Sequence, residues 1–308
     1  RNLLGRIRPA LVHAHAGRAA CLGARWARVP VILETRHGLP EKHALDRSPA
    51  FRRRIEGWKL LLPDRTIAVC ESDRNWLVGR TGVDPSRVTV IPNGIRSGSP
   101  AMPGVRGEGS PRLGFVGRLI EQKNPLVLAP LLARVALAVP SVRLEVYGAG
   151  PLRAPLEQAL RAHGVWERAR LHGEVQGADQ QLAELDLVLV PSIWEGTPYV
   201  ILEALRAEVP ILAAPVDGVP ELLEGPALGR SLVPWDLESW AREATEILTG
   251  RRDLTSWKSE ARARASERSE ERMLESLWSL YAARLARRRI AASPLWAARR
   301  PLVRSADA

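Results

Sequence analysis

The chain has 308 residues, 45% of them apolar, with 45 Lys and Arg against 34 Asp and Glu and a formal net charge of +11. That length suits about two domains, and the apolar content argues against disorder. Two cysteines, Cys21 and Cys70, are too few for a disulfide scaffold and fit a reducing compartment. The longest apolar stretch, residues 125–140, contains Pro130 and Arg134 and falls short of the ~20 residues a membrane span needs, and no secretory leader is recognisable at the start.

In chain order, β-rich runs recur at Val31–Thr35, Thr66–Cys70, Val88–Ile91, Leu113–Val116, Leu144–Tyr147, Leu187–Val190 and Ile211–Ala213. Most are near-continuously apolar, as strands covered on both faces should be. Helical stretches lie between them: Arg53–Leu62, Leu126–Ala138, Leu152–Ala162 and Val200–Ala207, then 237–250 and 255–288. The alternation predicts an α/β fold with parallel sheets. Residues 96–111, rich in Gly, Pro and Ser without periodicity, read as a linker after the turn at Pro92-Asn93-Gly94. The expected organisation is a first domain over 1–94, a second over 95–268, a helix over 269–286 and a basic tail over 287–308, the two domains facing a cleft.

The charge is uneven. Residues 1–93 carry 17 basic and 8 acidic side chains, residues 94–283 carry 21 and 25, and residues 284–308 carry 7 and 1. A basic surface attracts anionic lipid, nucleic acid or anionic substrates; a solvated surface in an Arg-rich chain, with only four Lys among the 45, is the other reading. No aromatic stacking platform or nucleic-acid module accompanies the charge, so no nucleic-acid partner is expected. Arg52-Arg53-Arg54 with Ile55, Trp58, Leu61 and Leu62, and the tail with Arg287–Arg289 and Arg299-Arg300, suit an anionic membrane surface or simple solvation.

The unusual residues fall just after the strands, where open parallel sheets bind ligands. Gly117-Arg118 and Lys123 follow Leu113–Val116; as cations they suit a diphosphate, or form a solvated pair. Gly148-Ala-Gly150 is no full dinucleotide fingerprint, and a tight turn explains it as well as ligand contact. After Leu187–Val190 comes Glu195-Gly196-Thr197-Pro198-Tyr199. Thr197 is placed to cap a helix with Pro198 as its first residue, so the helix start can receive an anion or sugar hydroxyls. Glu203 lies more than one turn into that helix, apart from Glu195. His37 follows Val31–Thr35 at a strand end and is as readily structural as functional, while His13 and His15 suit packing or hydrogen bonding. Asp-x-Asp, metal-ligand clusters, Walker loops and nucleophile elbows are absent from the sequence.

Taken together, these stretches resemble the group 1 glycosyltransferases, retaining enzymes of the GT-B fold. The similarity lies in Val90-Ile-Pro-Asn93-Gly94, Gly117-Arg118 with Lys123, Tyr147-Gly-Ala-Gly150, Pro191-Ser192, Trp194 to Ala204 with its Glu-x7-Glu spacing, and Gly218-Val-Pro-Glu221. His13-Ala-His15 and Thr35-Arg-His37-Gly38 are similar more weakly. The resemblance implies two Rossmann-like domains and transfer of a sugar from a UDP- or GDP-sugar to a glycan or lipid-linked hydroxyl. Arg118 and Lys123 would hold the donor diphosphate. Glu195 and the amides of Gly196, Thr197, Pro198 and Tyr199 would meet the sugar or its phosphates. Glu203 would bind the ribose, and His37 would approach the donor sugar. Gly117 would line the donor site. No metal or other cofactor is expected. A cytoplasmic, membrane-peripheral location and a role in polysaccharide or glycolipid synthesis would follow.

Three features depart from the family pattern. The first domain is expected to be truncated, since the family's opening strand and Gly-rich loop have no counterpart after Arg1. This leaves a non-catalytic nucleotide-sugar-binding piece as the alternative. Glu208 stands where the family commonly ends a helix with Gly, at a cost of about 1 kcal/mol if the backbone is left-handed. Arg206 replaces a small residue.

Overall fold

A computed structural model describes residues 2–15, 17–39, 42, 57–58, 60–96 and 109–288. The chain divides into two compact units, residues 1–96 with 268–308, and residues 97–267. The expected linker falls mostly outside the described residues, as do Arg52-Arg53-Arg54, Ile55, most of the helix expected over Arg53–Leu62, and the tail beyond residue 288.

In the first unit, α1 (Asn2–Ile7), β1 (Leu11–His15), α2 (Arg18–Trp26), β2 (Val31–Arg36), β3 (Arg65–Ala68), α3 (Glu71–Thr81) and β4 (Val88–Val90) follow one another. The four strands pair in parallel in sequence order. Every residue of β2 is buried: Val31, Ile32 and Leu33 are its apolar run, and Glu34, Thr35 and Arg36 are buried with them by the strand's place inside the sheet. Cys21 and Ala24 of α2 pack with Ala14, Val29 and Ile32 on one face of the sheet.

The second unit contains β5 (Arg112–Val116), α4 (Leu128–Ala138), β6 (Arg143–Tyr147), α5 (Arg153–Ala162), β7 (Ala169–Gly173), α6 (Ala178–Leu182), β8 (Leu187–Val190), α7 (Tyr199–Arg206), β9 (Ile211–Ala213), α8 (Val219–Leu222), α9 (Leu237–Leu248) and α10 (Trp257–Glu267). Its sheet is parallel throughout, in the order β7-β6-β5-β8-β9. The chain winds outward from β5 to β7, then restarts on the other side of β5. A topological switch point therefore lies between β5 and β8. The core joins Leu113, Phe115, Leu144 and Leu187 to the apolar faces of α4, α5 and α9, with Trp240 fully buried. Asp236 caps α9 by accepting from Ser239 N at 2.8 Å.

The helix expected over 255–288 is two helices. Arg268 and Ser269 interrupt it, and the Ser269 hydroxyl caps α11 (Glu270–Arg287) by accepting from Arg272 N. Ile95 and Ser269 form a bridge, and Leu285 of α11 packs on Val31 and Leu33. Helix α11 thus covers the sheet face opposite α2 in the first unit. Strands β1 and β7 and helices α1, α2, α3, α6 and α8 have no counterpart among the elements read from sequence. β7 is a half-buried edge with mixed polarity, so it lacks the apolar run that marks the inner strands.

Candidate active site

In the second unit the loops after β5 and β8 meet at the switch point. Lys123, at the end of a 3-10 turn over Glu121–Lys123, places Nζ 2.5 Å from Glu195 Oε1. Glu195 is only 4% exposed, and the same oxygen accepts from Ser192 Oγ at 2.7 Å. A buried carboxylate requires such partners, because unpaired charge away from water is costly. The two loops are also laced through Gln122. Its carbonyl accepts from Ile193 N at 2.8 Å, and its side-chain amide donates to Trp194 O at 3.1 Å. Arg118 is exposed, its guanidinium 3.4 Å from Gln122 Oε1.

Gly117 begins the β5 loop, its N–H donating to Tyr147 O at 2.9 Å. Gly148 and Gly150 have φ of +140 and +157, and a Cβ at either would collide with the carbonyl of Gly117 or Leu119. Gly148-Ala-Gly150 is therefore glycine-rich because two backbones touch: the loop after β6 supports the loop after β5.

Gly196, Thr197 and Pro198 are buried, and Tyr199 is 48% exposed. Helix α7 starts one residue later than expected. Pro198 stays extended at ψ 125 in the N-cap position and Tyr199 is the first helical residue, so Thr197 is not the cap. A pre-proline residue is extended, as an N-cap must be, so it is the extended ψ of Pro198 itself that moves the helix start along by one residue. Glu203 is half-buried on α7, whose Ile201, Leu202, Ala204 and Leu205 face the core. At the far end, Glu208 does adopt φ +57. Glu208 N donates to Leu205 O and Val209 N to Ala204 O, a complete Schellman ending built on glutamate. Its carboxylate accepts from Arg262 Nε and Nη2 at 3.0 and 2.6 Å.

Asp217, after β9, was not among the residues singled out from sequence. Its carboxylate accepts from Glu195 N at 2.9 Å. The only sequence signal was its place beside Gly218 in a strand-end loop.

In the first unit the ends of β1 and β2 gather three imidazoles. His13 lies between Tyr281 Oη of α11 at 2.5 Å and Thr35 Oγ1 at 2.7 Å. Burial, then the neighbouring His15 and His37, pushes the His13 imidazole down to about 4. A neutral His13 has one N–H, so it donates to one hydroxyl and accepts from the other. His15 Nδ1 and His37 Nε2 stand 2.9 Å apart, with the rings stacked. Burial and then His15 lower the pKa of His37. Of the packing and hydrogen-bonding roles the sequence allows His13 and His15, hydrogen bonding is present for both: His13 with Thr35 and Tyr281, and His15 with His37, the two sets meeting through the His13 and His15 rings 4.5 Å apart. Among the described residues no group of three or more His, Cys, Asp and Glu is arranged to hold a metal ion.

Comparison with known proteins accounts for both units. Residues 1–97 match the model described as Glycosyltransferase Family 4, and residues 110–250 the one described as Glycosyl transferases group 1. The Escherichia coli UDP-Gal:alpha-D-GlcNAc-diphosphoundecaprenol alpha-1,3-galactosyltransferase is 28% identical over 68% of this chain and 58% of its own length. A D-inositol 3-phosphate glycosyltransferase of Geodermatophilus obscurus is 30% identical over 89% of this chain and 66% of its own. The chain thus spans less than two thirds of either relative. HepE of Anabaena, solved in complex with UDP, superposes with a TM-score of 0.74 at 20% identity, covering 89% of this chain and 78% of HepE. That likeness shows the fold, the GT-B type, with parallel-sheet α/β domains. Residues 110–250 thus form a group 1 glycosyltransferase domain, and residues 1–97 a Glycosyltransferase Family 4 domain.

Proposed function

We propose that the protein transfers a sugar from a UDP- or GDP-sugar to a hydroxyl of a glycan or lipid-linked acceptor, with retention at the anomeric carbon. The observation that carries this reading is the Lys123–Glu195 pair, joined across the switch point where an α/β sheet receives its ligand. Lys123 and the exposed Arg118 supply positive charge for a diphosphate. The names of the relatives support the donor and acceptor classes: one is a UDP-galactose transferase acting on a diphosphoundecaprenol-linked sugar, and HepE was solved with UDP.

In this mechanism the bond between the anomeric carbon and the diphosphate oxygen breaks, and a bond to the acceptor oxygen forms on the same face. The acceptor proton passes to the departing phosphate oxygen, and the nucleoside diphosphate leaves. Lys123 and Arg118 stabilise the charge that develops on it, the task a metal ion performs in other transferases. Glu195, fixed by Lys123 and Ser192, and the backbone around Gly196, Thr197 and Tyr199 hold the sugar or its phosphates. Glu203 accepts from the ribose hydroxyls, and His37 serves the donor sugar; both assignments rest on the family pattern.

A cytoplasmic location on the inner membrane surface is part of the proposal. It is supported by exposed Trp58 and Leu61 in a basic region and by the lipid-linked acceptor named for the E. coli relative. Among the described residues no helix is long and apolar enough to cross a membrane.

The test mixes the full chain with labelled UDP- and GDP-sugars and lipid or glycan acceptors. Nucleotide release that falls in Arg118→Ala and Glu195→Ala is the expected result. No release from the parent, with both variants indistinguishable from it, overturns the reading. Donor binding without release would instead identify a non-catalytic nucleotide-sugar-binding chain.

A further inference from the structure

The peptide joining Trp194 to Glu195 is held at both ends. Its carbonyl accepts from Gln122 Nε2 at 3.1 Å, and its N–H donates to Asp217 Oδ2 at 2.9 Å. Gln122 comes from the loop after β5, the peptide from the loop after β8, and Asp217 from the loop after β9. Three strand ends converge on one peptide plane.

Asp217 meets this peptide from a backbone conformation that disfavours it, φ +44. Gly218 follows at φ −84 and ψ −1, and Val219 N donates to Val216 O at 2.9 Å. These features match a type II′ turn, whose first central position favours glycine. The glycine here occupies the second position and aspartate the first. The turn itself has no need of a carboxylate there; the Glu195 amide does. Strain kept at one residue where its side chain serves a site is a recognised signature of function.

We propose that Asp217 is a positioning residue of the donor site. Its carboxylate, opposite Gln122, locks the Trp194–Glu195 peptide. That lock aims the Glu195 carboxylate at Lys123 and Ser192 and sets the path of the backbone from Gly196 to Tyr199. Rotation of this peptide would swing Glu195 off both partners, which sit at 2.5 and 2.7 Å. The proposal rests on the reading of this loop as the donor site.

Two variants of the full chain test it. Asp217→Gly removes the carboxylate and relieves the positive φ. Its thermal midpoint is expected to hold or rise while kcat for nucleotide release falls on the order of 10²-fold, the cost of a misplaced reacting group. Asp217→Asn keeps an acceptor oxygen and tolerates positive φ, so it is expected to recover about tenfold of that loss. Hydrogen exchange gives a readout independent of turnover. The Glu195 amide is expected to be protected in the parent and in Asp217→Asn, and to exchange faster in Asp217→Gly. Unchanged kcat in Asp217→Gly, an Asn variant no better than the Gly variant, or equal protection of the amide in all three proteins overturns the proposal. Absence of nucleotide release from the parent is failure of the transferase reading instead, and the exchange measurement then still decides the lock.

Discussion

After β5 and β8, a lysine and a glutamate meet in a nearly dry setting, with a serine on the same carboxylate oxygen. After β1 and β2, three imidazoles meet a threonine and a tyrosine, and burial disfavours a charge on two of the rings. Both groups sit where parallel strands end, so topology chose the place in each unit. Side-chain chemistry then separated the tasks. The second unit spends fixed charge, which suits an anion. The first offers polarisable donors and acceptors without fixed charge, which suits hydroxyl groups and is sensitive to acid.

The largest expected effect breaks the charged half. Lys123→Ala should lower turnover by roughly 10²–10³-fold, the usual cost of deleting one group that stabilises developing negative charge. It should also destabilise the protein by about 1–3 kcal/mol, because Glu195 keeps its burial and loses its cation. Adding Glu195→Gln should restore the melting temperature and leave turnover low. Recovery of both together would mean that the pair is only structural.

Arg118→Ala separates affinity from stability. The side chain is exposed, so unfolding free energy should stay within about 0.5 kcal/mol. Donor affinity measured by calorimetry should fall about tenfold, near the weaker end of charge-assisted hydrogen bonds. Equal affinity would remove Arg118 from the donor site.

The imidazole group responds to pH. The folded-state pKa of His13 lies near 4, below its ordinary 6.5. Between those values the unfolded chain binds a proton that the folded chain refuses. Stability is therefore complete above about pH 6.5 and drains away as pH falls toward 4, by on the order of 1–2 kcal/mol once water's screening is allowed for. Denaturant titrations of the parent and of His13→Gln at several pH values check this, and an identical pH slope in both would contradict it.

The smallest effect concerns the ending of α7. Glu208→Gly relieves a left-handed glutamate worth about 1 kcal/mol and loses an ion pair with a largely exposed Arg262. A net gain of about 0.5 kcal/mol is expected in the melting curve. A clear loss would show that the ion pair outweighs the backbone.

Inner strands are legible because burial on both faces leaves an apolar run, unbroken in Leu187–Val190 and held over Val31, Ile32 and Leu33 before Glu34 in β2. Edge strand β7 was hidden because one side of it meets solvent. The break at Ser269 was hidden because both flanks are good helix formers and a single hydroxyl makes the cap. At the site, Gly117, Arg118, Lys123 and Glu195 could be read from position after strands. Gln122 and Asp217 could not. Each acts on one peptide bond brought near by tertiary folding, and a side chain that bonds a distant amide leaves no local pattern. For His13 and His15 the sequence allows packing or hydrogen bonding but does not name the partners, because Thr35, His37 and Tyr281 lie from 22 to 268 residues away.

A donor site after β5 and β8 requires the second unit's strand ends to hold a diphosphate. Calorimetry with the full chain tests it by comparing UDP with uridine, and GDP with guanosine, in the parent and in Lys123→Ala. The parent is expected to prefer one diphosphate over its nucleoside by at least about tenfold, 1.4 kcal/mol, and the preference to collapse in the variant. A parent that binds each diphosphate no better than its nucleoside, or a preference untouched by loss of Lys123, would contradict it.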